Sequence, residues 1–108
     1  MERPDGEMRN EIPVACTLSS AELREREATL LAQFKSVVIA AEELDESYSF
    51  RLPGDKKFLA LVAEILSAER ECCPFLRFEL TAESNQGPLT LRVTGPAGTK
   101  ELIKSLLV

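Results

Sequence analysis

Apolar residues recur with helical spacing in three segments of this chain and alternate with polar residues between them. The first helical segment, residues 19–34, begins with a capping box in which Ser19 is followed by Glu22. One face of it carries the large apolar side chains Leu23, Leu30, Leu31 and Phe34. A second helix is predicted from Asp55, its N-cap, to Pro74, because a residue that precedes proline is disfavoured in helical geometry. The third helical segment follows "GPAG" and closes the chain.

Alternating segments between these helices predict two β-hairpins. The hairpin after Pro74 consists of "FLRFELTAE" and "PLTLRVT" around the loop "SNQG". The earlier hairpin is predicted over about residues 36–52. Its second half alternates clearly, but residues 36–44 also prolong the pattern of the first helix, so helix and strand both remain open there.

These elements predict an α+β fold with the order α-β-β-α-β-β-α. We expect two layers, in which an antiparallel four-stranded sheet of two hairpins carries the helices on one face. Residues 1–11 are polar and contain Pro4 and Gly6, so they are predicted to form a flexible tail. Residues 12–108 are predicted to form a single domain.

Charge and composition exclude some partners. The net charge of −5 and the pI near 4.8 disfavour binding to nucleic acid or to an anionic membrane surface. The sequence contains neither an apolar run of membrane-spanning length nor a secretory signal. It is therefore interpreted as cytoplasmic, with cysteines kept reduced.

The candidate chemistry centres on three cysteines in a chain without histidine. Cys72 and Cys73 are adjacent at the end of the second predicted helix. They are interpreted either as small core residues or, with Cys16, as ligands for a soft metal or metalloid. A carboxylate from Glu69 or Glu71 would complete such a site.

The ligand count favours some ions over others. Three thiolates suit arsenite, mercury or lead, whereas a closed zinc site normally takes four cysteine or histidine ligands. The absence of histidine leaves no recognisable catalytic constellation, so enzymatic activity is not expected. The cysteine pair also lies at a helix C-terminus, where the helix dipole opposes a reactive thiolate.

Four stretches, "ACTLSS", "YSFRLPGD", "ERECCPFLRFEL" and "GPLTLRVTGPAGTKEL", resemble a family of small bacterial proteins with an ECCPF motif. The family is similar to a module attached to regulators of the mercury-resistance (MerR) type. The resemblance implies that Cys16, Glu71, Cys72, Cys73 and Pro74 carry the family's pattern. It also implies a metal-responsive regulatory partner, although this sequence contains no basic helix-turn-helix segment and is not expected to bind DNA alone.

Two functional hypotheses follow. In the first, the protein binds a soft metal or metalloid through Cys16, Cys72, Cys73 and Glu71, for sensing, sequestration or detoxification in heavy-metal resistance. In the second, it is a non-enzymatic structural or interaction domain, dimeric, whose cysteines are packed in the core. The position of Cys16 relative to the adjacent pair is expected to distinguish them.

Overall fold

The computed structural model describes residues 21–45 and 47–108. The predicted tail, Cys16 and the Ser19 cap lie outside the described residues. In chain order the elements are α1 (Ala21–Val37), β1 (Ala40–Glu43), β2 (Ser47–Leu52), α2 (Lys56–Cys72), β3 (Arg77–Ala82), β4 (Leu89–Thr94) and α3 (Thr99–Leu107). The α+β class and the order α-β-β-α-β-β-α are therefore confirmed.

The four strands form one antiparallel sheet in the order β1-β2-β4-β3. The hairpins join along β2 and β4, where Phe50 lies opposite Leu91. Alternation places one set of side chains on the helix-covered face of the sheet. This set contributes Tyr48, Phe50, Leu52, Leu89, Leu91 and Val93 to the core.

The other face of the sheet is polar. Glu79 of β3 lies opposite Arg92 of β4 and within 3.9 Å of its guanidinium, and Arg77 lies 3.8 Å from the same carboxylate. The Glu79–Arg92 pair joins β3 to β4, whereas Arg77 and Glu79 lie on the same strand. They are exposed, so they add little to stability.

The junction between α1 and β1 resolves the ambiguity of residues 36–44. The helix continues through Val37, and the amide of Val38 still donates to the carbonyl of Phe34. The amide of Ile39 then donates to Arg51 at 2.7 Å, and β1 begins at Ala40. The three β-branched residues 37–39 therefore connect the helix to the strand. The helical alternative is correct up to Val37, and the strand alternative is correct from Ala40.

The helices pack on the apolar face of the sheet, with α1 against α2 and α3 against α1 and β2. Phe34 of α1 meets Phe50 of β2 edge to face, with ring centroids 5.3 Å apart. Within the described segments, no helix combines the length and apolar character needed to cross a bilayer. The pairing of α1 with α2 is the feature that builds the candidate site.

Candidate metal centre

The end of α2 brings the adjacent cysteines together. Cys72 is the last helical residue, whereas Cys73 leaves helical geometry with φ −127° and ψ 73°. Pro74 accounts for this departure, because its ring disfavours helical geometry at the preceding residue. The amide of Cys73 still donates to the carbonyl of Glu69 at 2.6 Å, which closes the last turn.

This change in backbone direction has a consequence for the two thiols. Adjacent side chains on a regular helix point about 100° apart. Here the Cys73 thiol donates to the sulfur of Cys72 across 3.6 Å, and both residues are buried. The pair can therefore contact one ion from the same side.

Two carboxylates converge on the thiols. Glu69 lies one turn before Cys73 on α2, and Glu27 comes from the facing side of α1. One ligand atom from each of Glu27, Glu69, Cys72 and Cys73 lies within 4.8 Å of all the others. The four residues, called the Glu–Cys cluster below, are between 0% and 9% exposed. The cluster contains every donor needed for a four-coordinate ion, and none of it is on the open surface.

Burial determines the protonation of the cluster. Desolvation, together with the hydrogen bond and negative charge of Glu27, raises the pKa of Glu69 to about 8. Desolvation and the nearby charge of Glu69 raise the pKa of the Cys73 thiol to about 12. Without a cation, Glu69 and Cys73 therefore keep their protons at neutral pH.

The carboxylates are incompletely satisfied. The Oε2 atoms of Glu27 and Glu69 are buried and have no hydrogen-bond partner among the described residues. None of the ion pairs in the described segments involves either side chain. Buried oxygens of this kind are costly unless a donor or a cation satisfies them.

A partly open cavity of about 140 Å³ lies between α1 and α2 beside the cluster. It is lined by Leu23, Arg26, Glu27, Glu64, Ser67, Ala68 and Glu71. Glu27 is the cluster residue found in this lining, so the cavity borders the cluster on the side of α1. Arg26 and Glu64 form an exposed ion pair of 3.7 Å across the two helices beside it.

Some of the residues predicted as ligands belong to the Glu–Cys cluster and others do not. Cys72 and Cys73 belong to the cluster, and so does Glu69, the carboxylate that was considered beside Glu71. Glu71 is exposed, is not in the cluster and lines the neighbouring cavity. Cys16 is outside the described residues, so its contribution stays a prediction.

Glu27 was missed by sequence reasoning. The signal was its spacing, because Glu27 falls between Leu23 and Leu31 on the apolar stripe of α1. A carboxylate on a buried helical stripe needs a partner. Its partners lie more than forty positions away on α2, and helical periodicity alone does not indicate which helix faces which.

The arrangement suits ion binding better than nucleophilic chemistry. The described residues supply two sulfur and two oxygen donors around one point. The high pKa of Cys73 opposes a reactive thiolate, in agreement with its position at a helix C-terminus. The Glu–Cys cluster is therefore a group that could hold a metal ion.

Comparison with known proteins adds no relative from which a role can be transferred. No family model, curated protein or solved structure matches this chain.

Proposed function

We propose that this protein binds a soft or borderline-soft metal or metalloid ion at the Glu–Cys cluster. The observation that carries the proposal is the convergence of four buried donor atoms within 4.8 Å. In this role the chain would act in the reducing cytoplasm as a sensing, sequestering or detoxifying module. The regulatory partner implied by the family resemblance belongs to the same proposal.

Three features of the cluster support a cation as its occupant. The unpartnered Oε2 atoms of Glu27 and Glu69 would gain a counter-charge. The C-terminus of α2 directs its partial negative charge towards the thiols, which also favours a cation. Thiolate sulfur then selects thiophilic ions over magnesium or calcium.

A second candidate function follows from the packing of the same cysteines. Cys72 and Cys73 form a small apolar cluster with Phe75, against which Leu76 and Leu102 pack. If packing were their whole role, the protein would be a structural or interaction domain, and its dimerisation would remain a prediction. That alternative does not account for two buried carboxylates beside the thiols.

Calorimetric titration of the reduced protein with Cd²⁺ tests the proposal. We expect one ion per chain, with affinity reduced at least about 100-fold in the double variant Cys72→Ser/Cys73→Ser, because both sulfur donors are lost. Hg²⁺ and arsenite, the ions expected from the sequence, are titrated in parallel. Unfolding of each variant in the absence of metal shows whether a loss of affinity is caused by a loss of folding stability.

Matched variants separate the cluster from its surroundings. Glu64→Gln removes an exposed carboxylate from the same helix and should leave the Cd²⁺ affinity unchanged. Cys16→Ser and Glu71→Gln measure the contribution of the two predicted ligands outside the described cluster. Unchanged Cd²⁺ affinity in a folded Cys72→Ser/Cys73→Ser protein would refute the proposal and leave packing as the role of the pair.

A further inference from the structure

We infer that the cluster selects a four-coordinate divalent cation of the zinc and cadmium class, held by two sulfur and two carboxylate oxygen atoms. The inference rests on the proposed function and specifies its ligand. It departs from the ions expected from the sequence, because that expectation rested on three thiolates, with one carboxylate from Glu69 or Glu71 only to complete the site. The structure instead places Glu27 and Glu69 beside Cys72 and Cys73.

The separation of the sulfurs fits tetrahedral geometry. Two metal–sulfur bonds of about 2.3 Å that end on atoms 3.6 Å apart enclose an angle of about 103°, close to the tetrahedral value of about 109°. A linear two-thiolate complex with bonds of that length would place the sulfurs about 4.6 Å apart. The cysteine pair is therefore arranged for a bent chelate, not for linear mercury coordination.

The oxygen donors distinguish a dication from a trivalent metalloid. Arsenite needs sulfur ligands and gains nothing specific from two carboxylates, so those buried oxygens would remain unpartnered. A borderline-soft dication accepts sulfur and carboxylate oxygen together. Both Oε2 atoms would then have the cation as a partner. This removes the free-energy cost of burying them without a partner in the metal-free protein.

The donor set also spans two elements. Glu69, Cys72 and Cys73 belong to the end of α2, whereas Glu27 belongs to α1. An ion bound by all four would link the helices at the end of their interface. A thiol-bound metalloid would involve the α2 end alone, so Glu27 distinguishes the two kinds of complex.

Titration of the reduced full-length protein with Co²⁺ tests this inference. We expect the strong visible bands of tetrahedral Co²⁺ and an ultraviolet thiolate charge-transfer band, both abolished by stoichiometric Zn²⁺. Glu27→Gln and Glu69→Gln should each weaken Zn²⁺ binding more than about 10-fold, whereas Glu64→Gln should leave it unchanged. Arsenite affinity should change less than about threefold in both cluster variants, since arsenite uses the thiols alone.

Each alternative result has a defined meaning. Weak octahedral Co²⁺ bands, or Zn²⁺ affinity that is unaffected by both carboxylate variants, would overturn the inference even if Cys72→Ser/Cys73→Ser abolished binding. Tighter binding of arsenite than of Zn²⁺ would overturn it while preserving the proposed function. If no thiophilic ion binds the reduced wild type, the proposed function fails as well.

Discussion

Replacing Glu69 with glutamine is expected to stabilise the metal-free protein at pH 8 by on the order of 4 kcal/mol. Burial and Glu27 raise the pKa of Glu69 from 4.5 to about 8. The folded chain therefore holds a proton that the unfolded chain releases above pH 4.5. The wild-type free energy of unfolding should consequently fall as pH rises from about 4.5 to about 8. Glutamine keeps the shape of the side chain and removes this ionisation.

Urea unfolding of metal-free wild type and Glu69→Gln between pH 4.5 and 8 measures this effect. The two proteins should be similar at the acid end and diverge as pH rises. The groups facing Glu69 are Glu27 from α1 and Cys72 and Cys73 at the end of α2, and they remain in both proteins. Glu64→Gln, an exposed change on the same helix, should stay within about 0.5 kcal/mol of wild type. If Glu69→Gln is less stable than the wild type by the same amount at every pH, Glu69 acts only as a hydrogen-bonding residue of the core.

Saturating Zn²⁺ or Cd²⁺ is expected to stabilise the wild type by about 4 kcal/mol at a thousandfold excess over Kd. For a domain of this size that corresponds to an increase in Tm of roughly 15–30 °C. The physical reason is that the ion binds the assembled cluster and links α1 to α2, whereas the unfolded chain offers no such cluster. Stabilisation should weaken towards acid pH, since the ion displaces protons from the thiols and from Glu69.

Thermal unfolding with and without the ion, followed by circular dichroism, measures this stabilisation. At the same ion concentration Glu27→Gln should lose at least about 1.4 kcal/mol of it, which corresponds to binding at least tenfold weaker, and Glu64→Gln should retain it. Equal stabilisation of Glu27→Gln and wild type would show that the ion does not link the helices. A metal-free measurement on each variant separates this effect from changes in intrinsic stability.

These two expectations together distinguish a metal-binding site from a group of side chains that only pack in the core. A residue selected for packing stabilises the fold in which it is buried, so its removal is costly. Glu69 is expected to behave in the opposite way, because its replacement improves the metal-free fold and impairs ion binding. Such opposition between stability and function is typical of binding groups buried before their ligand arrives.

The sequence predicted most of the architecture because the signals were local. Alternation of Tyr48, Phe50 and Leu52, and the stop imposed by Pro74, are properties of short segments. Only the boundary near Val37 stayed open, since β-branched residues there suit the end of a helix and the start of a strand equally well.

The candidate site was predictable in part. Helical spacing places Glu69 one turn before Cys73, so it is a better candidate partner than Glu71, which is exposed and outside the cluster. The convergence of the two thiols depends on the irregular backbone at Cys73. The contribution of Glu27 depends on how α1 packs against α2, and no pattern within either helix specifies that contact.

X-ray absorption at the zinc edge of the Zn²⁺-loaded wild type tests the central claim most directly. We expect two sulfur neighbours at about 2.3 Å and two oxygen neighbours at about 2.0–2.2 Å. Cys72→Ser/Cys73→Ser should lose the sulfur neighbours, and Glu64→Gln should reproduce the wild-type spectrum. A wild-type spectrum with oxygen or nitrogen neighbours only would contradict the account.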